Sequence, residues 1–313
     1  AYTIFTADQP VNSRPCTDYS LAATMRTVSW HGRPARANLD LNGRSRVVST
    51  SLLAGKRGIV TGVANERSIA WACAMACKAH GAELAFTYLG EAQEKRVKAL
   101  VDEHVPGALV APCDVTKDGD IAAYFDFIKE KWGRLDFLIH SIAFADREDL
   151  KGRYVDTPRD HFALALDISA YSLVALARAA EPLFPESGGS IASMTYYGAE
   201  KVVPKYNVMG VAKAALEASA RYLAQDLGPR NVRVNCISAG PLRTLSSAAF
   251  PGFRQMLRLT EQVAPLRRNV TQDDVANSCV YLLSDLSSGV TGEVMHVDSG
   301  YHILGMAAPE EQS

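Results

Sequence analysis

RGIVTGVANERSIAWACAMACKAHGAELAFTY (residues 57–88) decides the fold. It opens on a short apolar run, RGIVT (57–61), passes through a helical stretch over 68–80 that Gly81 closes, and returns to an apolar run, ELAFTY (83–88). Strand, helix and strand in about 30 residues read as a βαβ unit, whose two strands pair in parallel. The alternation continues. A charged helix over 91–104 precedes ALVAPCDV (108–115), whose apolar part is a third strand. Helix 118–132, strand DFLIHSIAF (136–144), a long helix over 159–180 and strand SIASM (190–194) follow. Helix 205–227 stops at Gly228-Pro229, and strand VRVNCIS (232–238), helix 272–284 and strand EVMHVD (293–298) complete the series. Uninterrupted apolar strands such as GIV, LAF and FLI suit a sheet buried on both faces. Residues 51–306 are therefore expected to form one α/β domain, a doubly wound parallel sheet with helices on both faces. Ligands in such sheets lie at the carboxyl ends of the strands.

Bulk properties narrow the function. With 313 residues and 48% apolar side chains, the chain can bury a sizeable core. A formal charge of −1 gives no electrostatic footprint for nucleic acid, and no run approaches 18 uncharged apolar residues, so no membrane span is expected. Six scattered cysteines, without a CxxC pair or zinc-finger spacing, point to a reducing compartment and no metal. Cys73 and Cys77 share a helical face amid small apolar neighbours, as packed thiols would. Residues 1–50 differ from the rest, with six arginines, no lysine and three aspartates. They read as a disordered leader or non-native extension, with an organelle transit peptide as the other reading. Residues 307–313 form a tail.

Three junctions carry candidate chemistry. TGVANERSIA (61–70) joins the first strand to the first helix, with Gly62 as its one glycine and Ser68 placed either to cap the helix or to bond a phosphate. After the second strand, Leu89, Gly90 and Glu91 offer no clamp for a 2′-phosphate, which favours NAD over NADP. Asp114 after the third strand suits either an adenine amine or a turn. In YYGAEKVVPKYNVMGVAK (196–213), a helix started by Pro204 would set Tyr206 and Lys213 two turns apart on nearly one meridian, with Gly210 between them as room for a flat ligand. The ammonium would then lower the phenol's pKa and prepare it to serve an oxygen that becomes anionic. A packing tyrosine and a surface lysine are the alternative.

TGVANERSIAW, CDVT, HSIAFA, DISAYS, YGAE…PKYNVMGVAKAALEASARYLA, RVNCISAGPLRTL and SDLSSGVTGEVMHVDSG together resemble the short-chain dehydrogenase/reductase superfamily, and more closely its bacterial NADH-dependent enoyl-acyl-carrier-protein reductases. The resemblance covers about residues 52–306 and implies a Rossmann-like fold. Ordinary short-chain dehydrogenases place the catalytic tyrosine four residues before the lysine, where this chain has Met209; the spacing of seven matches the enoyl reductases. The resemblance implies that Tyr206 bonds a thioester carbonyl, Tyr196 is the second active-site tyrosine and Lys213 holds the nicotinamide ribose. It assigns Gly62, Ser68, Ile69, Leu89, Asp114, Val115, Ile142, Leu242, Thr244 and Ser246 to the cofactor, and Ala145, Met209, Phe253 and Met256 to the acyl site. Residues 242–257 would be a loop closing over substrate. The same resemblance implies NADH as cofactor, acyl carrier protein as the substrate's bearer, a homotetramer and a cytoplasmic location in fatty-acid synthesis.

The chain departs from the family at Leu89, where a glutamine is frequent, and at Ala143, where glycine is. Of the basic residues expected to meet a carrier protein, Arg254 is present, Pro251 and Gln255 stand at other such positions, and Arg258 is near. Two further readings remain: a 3-ketoacyl or other carbonyl reductase, favoured by Ser193 thirteen residues before Tyr206, and a non-catalytic dinucleotide sensor.

Overall fold

Seven strands form one parallel sheet in the order β3-β2-β1-β4-β5-β6-β7. This is a computed structural model that describes residues 51–244, 247 and 252–306. The expectations for residues 1–50 and 307–313 lie outside the described residues, as does Ser246.

The strands are β1 (Arg57–Val60), β2 (Glu83–Tyr88), β3 (Leu109–Pro112), β4 (Phe137–His140), β5 (Gly189–Thr195), β6 (Val232–Ala239) and β7 (Val294–Val297). Successive side chains of a strand point to opposite faces, so each apolar run feeds two cores. Ile59 of β1 joins Leu138, Ile191 and Val234 on one face, with Tyr124, Leu173 and Leu216. Val60 joins Phe86, Ile139 and Ile237 on the other, with Trp71, Val97 and Val280. The first face is covered by α3 (Asp118–Trp132), α5 (Ser172–Ala180) and α6 (Val208–Leu227). The second is covered by α1 (Ile69–Ala79), α2 (Gly90–His104) and α8 (Gln272–Leu283). Cys73, Cys77 and Cys279 are buried in this second core as free thiols.

The chain runs outward from β1 to β3 and returns with β4 on the other side of β1, so the order reverses between β1 and β4. A reversal of this kind opens a crevice at the carboxyl ends of the two strands.

Three expectations need correction. The long helix over 159–180 is interrupted: α4 (Arg159–Leu166) passes through a π-helical turn, Asp167–Tyr171, before α5. The hydroxyl of Ser169 explains the widening, because it turns out of the helix to accept from the Phe144 amide (2.9 Å) and donate to the Phe144 carbonyl (3.1 Å). The run Arg159–Leu183 is also long and apolar enough, by length and composition, to cross a membrane. Its Leu173, Leu176 and Ala177 are fully buried against the sheet. Finally, the expected closing loop over 242–257 includes the start of a helix, α7 (Phe253–Val263), entered through Gly252 at φ 80°.

Candidate active site

Gly62 makes the crevice possible. Its φ is 85°, and a Cβ there would stand 2.0 Å from the Ser141 carbonyl oxygen. The loops after β1 and β4 therefore touch at a point that admits no side chain. Thr61 reinforces the contact, its amide and hydroxyl both donating to the Ile139 carbonyl at 3.0 Å.

Ser68 precedes α1 but makes no side-chain cap bond to it. Its hydroxyl turns back and accepts from the amides of Ala64 and Asn65, each at 3.0 Å, stapling the loop. Of the two roles read from sequence, a cap or a phosphate contact, the cap is not found. The Ile69 and Ala70 amides, at the head of α1, have no intrahelical acceptor, as at any helix start. This end of the crevice therefore offers backbone donors and a helix dipole, a donor set that fits a pyrophosphate.

The other proposed cofactor contacts line up along the carboxyl edge with unequal prospects. Leu89 is well exposed between β2 and α2, its amide donating to Gln93 Oε1 at 2.7 Å. Lys95 is paired with Glu91 at 3.3 Å, and Arg96 bonds the Ala92 carbonyl, so neither stands as a free phosphate clamp. Asp114 accepts from the Thr116 hydroxyl (2.7 Å) and amide (3.1 Å) and pairs with Lys117 (3.0 Å). Burial works to raise its pKa, but these Thr116 and Lys117 contacts outweigh it and hold the carboxyl below its ordinary range. Its turn-forming role is realised. Val115 and Ile142 are half-buried against the first-face core, Ala145 is half-buried, and Leu242 is buried. Thr244 exchanges hydrogen bonds with Ser247, its amide donating to Ser247 Oγ at 2.7 Å.

The end around the candidate tyrosines is built differently. Tyr206 does not lie on a helix. It sits in a turn before α6, between Lys205 at φ 70° and Asn207 at φ 44°. The two-turn meridian expected from sequence is therefore wrong, and the spacing of seven reflects an extra turn of chain. That turn is anchored from outside: Asn207 Nδ2 donates to the carbonyls of Asp149 (2.6 Å) and Gly152 (3.2 Å), and Lys205 Nζ to that of Lys151 (2.8 Å). Asp149 is itself buried and bonded to His161 Nδ1 at 3.0 Å.

Tyr196, at the end of β5, packs edge-on against Tyr206 with ring centroids 5.0 Å apart. A Cβ on Gly198 would stand 2.4 Å from the Tyr206 ring, and one on Gly210 would stand 2.7 Å from the Gly198 carbonyl oxygen. Gly210 thus admits the neighbouring backbone rather than a flat ligand, and the two glycines let the tyrosine pair settle against α6. The Tyr196 hydroxyl donates to Met256 Sδ at 3.3 Å, tying α7 to the site. Phe253 and Met256 are half-buried; Met209 is buried, its Sδ 3.8 Å from Ser169 Oγ. Of the acyl-site candidates, Met256 thus touches Tyr196, and Met209 touches the Ser169 hydroxyl that bonds Phe144.

Lys213 is buried, and its ammonium donates to the Met194 carbonyl at 2.8 Å. Burial pulls its pKa down to about 8. Burial also pushes the Tyr196 phenol up to about 12 and the Tyr206 phenol well above its ordinary value, with the neighbouring Tyr196 and Glu217 adding to the latter. This reverses the expected lowering: desolvation dominates, and Tyr206 is held as a neutral hydroxyl donor.

Ser193, the residue that favoured a carbonyl reductase, is fully buried and bonded to His140 Nδ1 at 2.8 Å. Ser172 Oγ donates its one hydrogen to the Ile168 carbonyl at 2.6 Å, so His140 Nε2, 2.8 Å away, must donate to it. His140 Nδ1 is then an acceptor and Ser193 its donor. Burial, with the nearby Lys213, drives the His140 pKa down to about 3, consistent with this neutral tautomer. The Ser193 hydroxyl is committed to the interior.

Comparison with known proteins shows the family. The sequence model of the family described as "Enoyl-(Acyl carrier protein) reductase" matches residues 62–302. The chain belongs to this enoyl reductase family. It is 57% identical to the "Enoyl-[acyl-carrier-protein] reductase [NADH] FabI" of Rickettsia felis over 258 residues, 82% of this chain and 98% of that protein. Two solved enoyl reductases superpose over 82% of this chain. The one from Anaplasma phagocytophilum, in complex with NAD, has a TM-score of 0.79 at 52% identity and is covered over 98% of its length. The one from Bacillus cereus, with NADP+ and indole naphthyridinone, has a TM-score of 0.80 at 54% identity and is covered in full.

Some residues of this site escape a reading of the sequence. His140, Ser169, Thr195 and Glu217 carry no spacing signal of their own. Glu217, four residues after Lys213, looks in sequence like half of a surface ion pair; the structure buries it, with Thr195 Oγ1 donating to it at 2.7 Å.

Proposed function

We propose that this chain reduces trans-2-enoyl thioesters borne by acyl carrier protein to saturated acyl thioesters, using NADH, in fatty-acid elongation. The observation that carries the reading is the pair Tyr196–Tyr206, packed edge-on at the carboxyl ends of the strands, with Lys213 buried and bonded to the Met194 carbonyl two residues before Tyr196. A carbonyl reductase is disfavoured by Met209 at the one-turn position and by a Ser193 hydroxyl bound to His140.

NADH, when bound, supplies a hydride to the β-carbon of the enoyl group. The open amides of α1 and the loop closed by Gly62 and Ser68 would hold the pyrophosphate. Lys213, with one hydrogen on the Met194 carbonyl, has two left to bond the ribose hydroxyls. The neutral Tyr206 hydroxyl would donate to the thioester carbonyl and stabilise the enolate as charge moves onto its oxygen. Tyr196, bonded to Met256, would hold α7 against the acyl chain and keep water out. Protonation at the α-carbon completes the reduction. NADH is preferred to NADPH because Leu89 is exposed and the basic side chains nearby are engaged on α2. A homotetramer and a cytoplasmic location accompany the reading.

NADH absorbance, followed with a trans-2-enoyl thioester and separately with a 3-ketoacyl thioester, tests it. Oxidation with the enoyl substrate alone is expected. Oxidation with the ketone alone would establish a carbonyl reductase instead, and oxidation with neither would favour the sensor.

A further inference from the structure

The turn that carries Tyr206 is held by a loop, and the loop must itself be held. Residues 144–152, FADREDLKG, follow β4, and Arg147, Glu148, Lys151 and Gly152 among them are exposed. The carbonyls of Asp149 and Gly152 accept from Asn207 Nδ2, and that of Lys151 accepts from Lys205 Nζ. The two donors flank Tyr206, and both have positive φ, a conformation that persists only where the surroundings impose it. An exposed loop is a poor anchor unless something fixes it in turn.

Two contacts fix it, both from the segment that runs from α4 into the π-helical turn. Ser169 bonds the amide and the carbonyl of Phe144, where the loop begins. Further on, Asp149 is the one buried residue of 146–152, and its carboxylate oxygens lie 3.0 and 3.2 Å from His161 Nδ1 in α4. A carboxylate only accepts, so Nδ1 carries the hydrogen and shares it between the two oxygens. Burying this charge without a partner would be costly, and an exposed side chain would serve a surface loop as well. Asp149 thus faces two ways. Its side chain is pinned to α4, and its main-chain carbonyl, 2.6 Å from Asn207 Nδ2, is presented to the Tyr206 turn. The Asp149 bond raises the His161 pKa against desolvation of the ring, and Asp160 and Asp146 add to the rise.

We infer that Asp149 and His161 are positioning residues for the reduction: their pair fixes the 144–152 loop, through which Lys205 and Asn207 hold Tyr206 at the thioester carbonyl. The inference rests on the enoyl-reduction reading. The hold acts on Tyr206 and not on the cofactor loop, which is closed separately by Gly62 and Ser68. Loss of the pair therefore costs turnover and spares NADH binding. It also costs nothing further once the Tyr206 hydroxyl is gone, because there is then no donor left to aim.

The test measures kcat, KM for NADH and melting temperature with a trans-2-enoyl thioester, for His161→Ala and His161→Asn, each alone and combined with Tyr206→Phe. His161→Ala should lower kcat by about fivefold to twentyfold, with KM for NADH changed less than about twofold. His161→Asn, whose amide can donate from near the place of Nδ1, should recover most of that loss. In the Tyr206→Phe background, His161→Ala should lower kcat by less than about twofold, the non-additivity of residues that act as a unit. Unchanged kcat in a folded His161→Ala would overturn the inference. So would an equal loss with and without the Tyr206 hydroxyl, or a KM for NADH that rises as kcat falls, since a merely loosened fold gives both. If His161→Ala does not fold, Asp149→Asn combined with His161→Ala removes the buried charge together with its partner and is judged by the same readouts. A wild type that fails to oxidise NADH with the enoyl thioester would instead overturn the proposed function.

Discussion

α6 and α8 begin in opposite ways. α8 starts with a reciprocal capping box: Thr271 Oγ1 accepts from the Asp274 amide (3.2 Å), and the Asp274 carboxylate accepts from the Thr271 amide (2.8 Å). Arg268 adds a 2.6 Å ion pair and is the main cause holding the Asp274 pKa well below its ordinary range. Everything this start needs lies within seven residues. α6 starts at Asn207, which makes no cap bond, adopts φ 44° and directs its amide to a loop more than fifty residues away in the chain. A helix start that serves only folding satisfies itself locally. One that must aim a catalytic side chain accepts strain and is held by distant partners. The start of α1 lies between these: Ser68 braces the preceding loop and leaves the first amides of the helix without a side-chain cap.

Substitutions at these starts should separate the two kinds. Tyr206→Phe should have the largest effect, lowering kcat by about 10²–10³ with NADH affinity and melting temperature nearly unchanged. Retained kcat would mean that the strained turn aims nothing. Asn207→Ala should lower both kcat and stability, by about tenfold and about 1–2 kcal/mol, since it removes two donors and keeps a backbone conformation unsuited to alanine. Asn207→Gly should recover stability but not kcat. Equal recovery of both would show that the amide contacts are dispensable.

Stability against pH provides a third test. Lys213 has a folded pKa near 8, below its unfolded value near 10.5, so the unfolded chain binds more protons between these limits. The cost of its burial is fully present below pH 8 and is relieved as pH rises toward 10.5. Denaturant titrations of wild type and Lys213→Met should differ in slope across that window, and parallel curves would contradict the assignment.

Two smaller effects complete the comparison. Ser68→Ala should weaken NADH binding by about threefold to tenfold, as a slackened loop loses pre-organisation. Thr271→Ala should cost about 1 kcal/mol of stability and leave kinetics untouched. If Thr271→Ala altered NADH binding as Ser68→Ala did, the two starts would not differ in purpose.

The seven strands and most helices were legible because each is a local matter of apolar runs and turn residues. β2 spans the residues read for it, and α3 likewise, while β4 is shorter than its apolar run because the chain leaves the sheet at Ser141 to meet Gly62. The π-helical turn was hidden, since its cause is a hydrogen bond from Ser169 to a loop 25 residues earlier. α7 was hidden too, within a stretch that reads as a loop because small residues precede its aromatic start.

By itself, the sequence determined the order of the elements, the parallel doubly wound class and the family, and it singled out Tyr196, Tyr206 and Lys213 as candidates. These follow from periodicity, from turn residues and from motifs that keep their spacing whatever the chain packs against. Only the tertiary structure decided that Tyr206 stands in a strained turn, that its phenol is held neutral, that Ser193 is bound to His140 and that Glu217 is buried. Each of these depends on burial or on a partner far along the chain. Desolvation and remote hydrogen bonds are properties of neighbours in space, and no local pattern encodes them.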